Sequence, residues 1–105
     1  MEIIETSVFT RIIQDLLSDD DYAELQQALV KNPTAGAIIR NSGGIRKLRW
    51  AGSGRGKRGG IRIIYYWMSA DYQIRMLYAY PKNTCSDLDS NQLATLRKII
   101  ERWEE

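Results

Sequence analysis

The side chains of this chain that could act on a substrate are mostly cations, because the sequence has no histidine and a single cysteine. Residues 25–70 contain nine basic side chains and no acid, whereas residues 1–24 carry seven acids and one arginine. An acid-free basic stretch favours an electropositive surface that binds a polyanion such as nucleic acid. The alternative is an ordinary solvated face whose charge the acidic N-terminal segment balances.

The most informative basic segment is Arg46-Lys47-Leu48-Arg49-Trp50. In a strand alternate residues share a face, so Leu48 and Trp50 facing the core place Lys47 and Arg49 together on the other face. Arg62 begins the next predicted strand and could lie beside them across a hairpin. Three cations in one patch predict a site for a phosphodiester, and the alternative is three surface bases with solvated head groups.

Such a patch suggests two roles for Lys47. Neighbouring guanidinium groups disfavour the charged form of a lysine. A neutral Lys47 could act as a general base in a chain without histidine. A Lys47 that stays charged could instead stabilise a developing pentacoordinate phosphate. Tyr66 lies on the same predicted strand face as Arg62 and is a candidate for stacking on a base, although an aromatic residue of a strand can equally belong to the core.

A glycine-rich loop lies between these two strands. Residues 52–60 contain five glycines, with Arg55, Lys57 and Arg58 between them. Because glycine lets backbone amides approach an anion closely, this loop predicts a clamp for phosphates, with a plain hairpin connection as the alternative. The G-x-G-x-x-G spacing within it does not indicate a dinucleotide site, since a strand rather than a helix follows.

The apolar periodicity predicts an α+β fold with the element order β-α-α-β-β-β-α. The predicted strands span residues 2–5, 45–51, 61–69 and 72–81, and the predicted helices span 8–17, 19–31 and 90–103. Short connections favour antiparallel neighbours in a twisted sheet. We expect the two N-terminal helices and the C-terminal helix to cover one face of that sheet, to leave the other partly open, and residues 34–44 to form an irregular link.

Composition excludes several classes of protein. A chain of 105 residues predicts a single domain over residues 1–105. One cysteine cannot form an internal disulfide, and without histidine a structural zinc site has too few ligands, so we expect neither metal nor cofactor. No apolar stretch reaches about 18 residues, so no membrane span is expected. The acidic N-terminus is unlike a signal peptide, and a cytoplasmic protein is predicted.

The motifs together resemble the RelE/HigB superfamily of toxin–antitoxin ribonucleases, and within it the HigB-type branch. The matching segments occur in the same order along most of the chain: GGIRKLR (43–49), GKRGGIRIIYYW (56–67), and YPKN (80–83) followed by SDL (86–88). The resemblance implies a small RelE-like fold. It also implies ribosome-dependent endoribonuclease activity on mRNA in the A site, through attack of a 2′-hydroxyl on the adjacent phosphate, without a cofactor.

The resemblance also assigns residues and partners. Lys47 and Arg49 match the paired basic residues of the family, Arg62 its arginine on the next strand, and Lys82 its basic residue after the last strand. Some members have a catalytic tyrosine at a position where this chain has Asp87 or Leu88. The general acid is therefore not assigned. Lys82 or Tyr66 could serve, or charge alone could stabilise the leaving group. Four further bases are expected to bind mRNA or ribosomal RNA: Arg46, Arg55, Lys57 and Arg58. The partners implied are the ribosome and a DNA-binding cognate antitoxin, with a monomer expected when the toxin is free.

Two other functions fit the same composition. A toxin of this fold could poison a topoisomerase by protein contact, although it would not need Lys47, Arg49 and Arg62 to converge. A non-catalytic nucleic-acid-binding module would bind RNA with an affinity that falls with salt, and would yield no cut products.

Overall fold

A mixed β-sheet with helices on both of its faces forms the structure. The computed structural model describes residues 1–51, 60–84 and 87–103. Along the chain the elements are β1 (Glu2–Glu5), α1 (Ser7–Leu16), α2 (Asp19–Lys31), β2 (Ala37–Ile38), β3 (Ile45–Trp50), β4 (Ile61–Met68), a short 3-10 turn (Ser69–Asp71), β5 (Gln73–Pro81) and α3 (Ser90–Trp103). The predicted α+β class and the order of its main elements are confirmed.

The described strands form one five-stranded sheet in the order β1-β5-β4-β3-β2. β1 pairs in parallel with β5, whereas the other neighbours are antiparallel. β2 lies within the segment predicted to be an irregular link. Its two residues pair with Lys47 and Arg46 of β3, so this strand arises from pairing and not from a strand-like composition of its own.

Side-chain caps fix the starts of the helices. The Thr6 hydroxyl accepts a hydrogen bond from the backbone N–H of Phe9, and the Ser18 hydroxyl accepts one from Asp21. Before α3, the side chains of Asp89 and Gln92 accept hydrogen bonds from each other's backbone N–H groups, which is a capping box. No helix in the described parts of the chain has the length and apolar content needed to cross a membrane.

The first face of the sheet is covered by α1 and α2. Phe9 and Ile13 of α1 and Leu25 and Leu29 of α2 are buried there. They pack on side chains from three strands: Leu48, Trp50, Ile61, Ile63, Tyr65, Ile74, Met76 and Ala79. This face therefore carries the larger of the two apolar clusters, which we call the closed face.

The third helix packs on the opposite face, which corrects the prediction that all three helices share one face. Leu96 and Ile100 of α3 are buried against apolar side chains that the sheet presents on this second face: Ile45, Ile64, Leu77 and Tyr80. Because these strands carry apolar side chains on both faces, other elements must pack on each face to shield it from water. We call this second face, part of which carries the cations described below, the half-open face.

The alternation of side chains along β5 is interrupted after Met76 because the strand contains a bulge. Ile64 pairs with Tyr78 and the next residue, Tyr65, pairs with Met76, so Leu77 is an extra residue in β5. The bulge reverses the orientation of the residues that follow. Tyr80 consequently belongs to the α3 cluster, whereas Ala79 belongs to the closed face.

Candidate nucleic-acid interface

The orientation of β3 separates apolar side chains from basic ones. Leu48 and Trp50 pack against the cluster on the closed face. Because neighbouring residues of a strand point to opposite faces, Lys47 and Arg49 lie on the half-open face, as the sequence predicts. Lys47 is partly buried, and Arg49 is exposed.

Arg62 of β4 lies directly opposite Arg49. The two residues are register partners across the antiparallel pair, and Arg62 retains only 6% of its accessible surface. Like charges directly opposite each other in a sheet are destabilising, so this arrangement favours a nearby anion. The predicted convergence of Lys47, Arg49 and Arg62 on one face is therefore present in the fold.

We call these three residues, Lys47, Arg49 and Arg62, the cationic cluster. A carboxylate lies beside them. Lys47 donates a hydrogen bond to Asp87 and forms an ion pair with it. That hydrogen bond and the charge of Lys47 hold the pKa of Asp87 below its usual value, and the charges of Arg49 and Arg62 lower it further. Because all three cations act on one carboxylate, they share a common point of attraction for an anion.

Lys82, the fourth predicted catalytic residue, lies at the same end of the sheet as Arg62. It follows Pro81, the register partner of Ile61, and its backbone N–H donates to the carbonyl of Gly60 at 3.2 Å. Its side chain is exposed. This backbone bond fixes the start of the segment after β5 beside the start of β4, next to the cationic cluster.

Two of the predicted RNA-binding residues occupy other environments. Arg46 lies on the face opposite Lys47, where its guanidinium donates to the carbonyl oxygens of Gly36 at 2.7 Å and Thr34 at 3.3 Å. Tyr66 is half-buried and packs against the α3 cluster. The fold therefore does not bring Arg46 into the cationic cluster, and it uses much of the Tyr66 ring for packing.

The predicted phosphate clamp lies outside the described residues. Arg55, Lys57 and Arg58 belong to the segment 52–59, between the end of β3 and the start of β4. Their role in binding RNA stays a prediction.

Sequence reasoning missed the ion pair between Asp87 and Lys47. The two residues are 40 positions apart, and only the path of the chain after β5 brings them together. A signal was present in the resemblance, because Asp87 stands where some members of the family have a catalytic group. An acid in an otherwise basic site could have been examined as a partner for Lys47.

The arrangement suits the binding of a phosphate. Guanidinium groups form paired hydrogen bonds with phosphate oxygens, and an ammonium acts as a compact positive charge beside them. Within the described ranges, no group of three or more metal-ligating side chains occurs. The site therefore offers several positive donors to the non-bridging oxygens of one phosphodiester.

A comparison with known protein families agrees with this fold. The family model described as the RelE toxin of the RelE/RelB toxin–antitoxin system matches residues 1–105. The chain therefore belongs to the RelE toxin family. This membership implies a cognate antitoxin as its partner.

Proposed function

We propose that this toxin is a HigB-type endoribonuclease that cleaves mRNA in the ribosomal A site and so inhibits translation. The observation that carries the proposal is that Lys47, Arg49 and Arg62 lie on one face of the sheet, with Arg49 and Arg62 as register partners and Lys47 paired with Asp87. Cations gathered in this way could bind a phosphate with several charge-assisted hydrogen bonds.

In the proposed reaction the 2′-hydroxyl oxygen of one nucleotide attacks the phosphorus atom that joins it to the next. The bond from phosphorus to the 5′-oxygen breaks, which leaves a 2′,3′-cyclic phosphate and a 5′-hydroxyl end. The proton of the 2′-hydroxyl is lost and the departing 5′-oxygen gains one. Arg49 and Arg62 hold the non-bridging oxygens, whose negative charge grows in the transition state.

Lys47 and Lys82 have separate parts in this reaction. The ion pair between Lys47 and Asp87 favours a charged lysine, which stabilises the phosphate. General-base catalysis is the other role considered for Lys47. Lys82, exposed after β5, neutralises the departing 5′-oxygen. Asp87 must release Lys47 when the phosphate binds, and its exposed position allows this movement.

The sharpest test is Arg49→Ala, because Arg49 is exposed and its loss should leave the fold intact. We expect cleavage of mRNA on purified ribosomes, followed by primer extension, to slow by about 100-fold to 1,000-fold, as when one oxyanion donor is removed. Arg11→Ala, an exposed arginine on α1, is the matched control and should cleave normally.

Three results would contradict the proposal. Equal cleavage by Arg49→Ala and the wild type would remove Arg49 from the site. Intact mRNA accompanied by DNA damage in cells expressing the wild-type toxin would favour a topoisomerase poison instead. RNA binding without cut products would favour a non-catalytic binding module.

The proposed activity also defines the setting in which the toxin works. Its substrate is mRNA on the ribosome, so we propose a cytoplasmic location. The cognate antitoxin, proposed to be a DNA-binding protein, would neutralise a toxin that is monomeric when free. Size-exclusion chromatography of the toxin with and without the product of the neighbouring gene would test these partners.

A further inference from the structure

An apolar groove of about 280 Å³ follows one side of α3 on the half-open face. The helix lines it with side chains spaced three or four residues apart, which form one stripe of an α-helix: Gln92, Thr95, Leu96 and Ile99. Leu77 of β5 and Val8 at the start of α1 also line the groove. The groove therefore lies between α3, the sheet and the junction of β1 with α1.

The side of the groove away from α3 is fixed but incompletely covered. The backbone N–H of Thr6 donates to the carbonyl of Met76 at 3.0 Å, and its hydroxyl donates to the carbonyl of Leu77 at 3.0 Å. These bonds hold the start of α1 against β5. Val8 nevertheless keeps 41% of its accessible surface, and an exposed side chain that continues an apolar groove is typical of a surface that a partner covers.

A buried arginine lies beyond the end of this groove that is nearer the C-terminus of α3. Arg75 precedes Leu77 by two residues on β5, and Trp103 follows Ile99 by about one turn of α3. The guanidinium carbon of Arg75 is 4.7 Å from the centre of the Trp103 ring. The apolar groove and this arginine therefore follow one another along the same side of α3.

Among the described residues, the charge of Arg75 is incompletely paired. The arginine is buried, and its Nε and Nη2 both donate to one neutral acceptor, Oε1 of Gln73, at 3.3 and 3.1 Å. The exposed carboxylate of Asp71 lies 3.9 Å from Nη2. Within the part of the chain that the structure describes, the buried Nη1 has no hydrogen-bond partner. Because buried charges are normally paired and hydrogen-bonded, this guanidinium can bind one further anion.

We propose that this groove binds a segment of the cognate antitoxin in which apolar side chains are followed by a carboxylate. The apolar side chains occupy the groove, and the carboxylate accepts a hydrogen bond from Nη1 of Arg75. Trp103 lies in the last turn of α3, where its ring can move aside for the carboxylate. Membership of the RelE family implies an antitoxin but not the surface that it occupies, and the inference is independent of the proposed cleavage.

The surroundings of Arg75 favour a protein segment over RNA. Glu2 accepts a hydrogen bond from the Gln73 amide at 2.8 Å, and Asp71 lies on the other side of the same network, so two carboxylates flank the arginine. These acids would repel a chain of phosphates. A single carboxylate among apolar side chains instead matches one guanidinium at the end of an apolar groove.

The test measures the affinity of the purified toxin for its antitoxin, the product of the neighbouring gene, by calorimetric titration. Val8→Asp places a charge at the groove, and Val30→Asp is its control, because both valines lie on helices and retain 41% of their accessible surface. Arg75→Met removes the buried charge with little change of length, and Arg40→Met, at an exposed arginine, is its control. Urea unfolding of each free variant shows whether it folds.

We expect Val8→Asp and Arg75→Met each to bind the antitoxin about 10-fold to 100-fold more weakly than the wild type, whereas both controls bind within about twofold of it. Arg75→Met should also keep or raise the urea midpoint of the free toxin, because replacing an incompletely paired buried charge with an apolar side chain is often neutral or stabilising. A residue that only supported the fold would lower that midpoint.

Other results would overturn the inference. Equal affinities of Val8→Asp and Val30→Asp would remove the antitoxin from the groove, and normal affinity of Arg75→Met would remove the carboxylate from Arg75. A lower urea midpoint of Arg75→Met, matched by Glu104→Gln or Glu105→Gln, would show that acids of the toxin's own chain pair with the arginine. With normal antitoxin affinity, slower mRNA cleavage by Val8→Asp would assign the groove to RNA, and loss of a toxin dimer would assign it to a second copy.

Discussion

The two faces of the sheet differ in the side chains that they carry. On the closed face, two helices bury a continuous apolar cluster, and Phe9, Leu25 and Ile63 lose all contact with water. On the half-open face, α3 packs on Ile45 and Ile64, whereas residues of the same two strands nearer to their hairpin carry the cationic cluster. The strands β3 and β4 therefore contribute to the core on one side and carry the cationic cluster, the proposed phosphate site, on the other.

This difference shows how a small domain can hold destabilising charges. Arg49 and Arg62 repel each other, and burial of Arg62 adds a cost of desolvation. The apolar cluster across the sheet offsets these costs through the same strands. Rigid positions for the cations therefore depend on the opposite face of the sheet.

The strongest test of this division is Phe9→Ala on the closed face. Phe9 is fully buried, so we expect the free energy of unfolding to fall by about 3–5 kcal/mol in urea titrations. Cleavage by the molecules that remain folded should be unchanged, in contrast to Arg49→Ala. The neighbouring Val8→Ala, an exposed position, should change the unfolding free energy by less than about 0.5 kcal/mol.

Reduced cleavage by folded Phe9→Ala would show that the two faces are not separable. The comparison would also fail if Arg49→Ala unfolded as easily as Phe9→Ala, since the cations would then contribute to stability.

A smaller effect is expected from Tyr22→Phe at the rim of the closed face. The Tyr22 hydroxyl donates to the carboxylate of Glu5, and a hydrogen bond to a charged group contributes about 1.5–3 kcal/mol. Burial first, and then the bond to Glu5, raises the pKa of Tyr22 above its ordinary value. We expect Tyr22→Phe to unfold at lower urea concentration near pH 7.

The same pKa shift predicts how the difference depends on pH. Below about pH 10 the hydroxyl is neutral in both the folded and the unfolded chain, and its full contribution is present. Above that pH the unfolded chain ionises first, so the contribution declines as pH rises. A stability difference between Tyr22→Phe and the wild type that grew with pH would contradict the assignment.

The smallest effect concerns Asp87 on the half-open face. Asp87→Asn removes the carboxylate that competes with a phosphate for Lys47, and the ion pair of an exposed carboxylate contributes little. We therefore expect up to about fivefold tighter binding of an RNA whose 2′-hydroxyl at the cleavage position is replaced by hydrogen. Asp15→Asn, which removes an exposed charge from α1, should leave this affinity nearly unchanged.

The cationic cluster could be predicted from the sequence because side chains along a strand alternate between its two faces. Once Leu48 and Trp50 face the core, the directions of Lys47 and Arg49 are determined. A short hairpin then brings the start of β4 near, although the exact pairing of Arg49 with Arg62 required the register. The alternation of side chains within a strand and the antiparallel pairing of consecutive strands were sufficient to predict this part of the site.

Features that depend on distant parts of the chain could not be predicted. The apolar stripe of α3 indicates that one side of the helix is buried, but not which face of the sheet receives it. Neither the bulge at Leu77 nor the pairing of Ala37 and Ile38 with β3 has a local signal as strong as a cap.

The position of β5 in the sheet has a consequence for synthesis of the toxin. β5 lies between β1 and β4, and β1 pairs with it in parallel across about 70 residues of sequence. Contacts this distant in sequence form late, because a long loop must close first. A nascent chain on the ribosome therefore cannot complete its sheet until Pro81 has left the exit tunnel, and β1 stays without its partner strand while every element before β5 is synthesised.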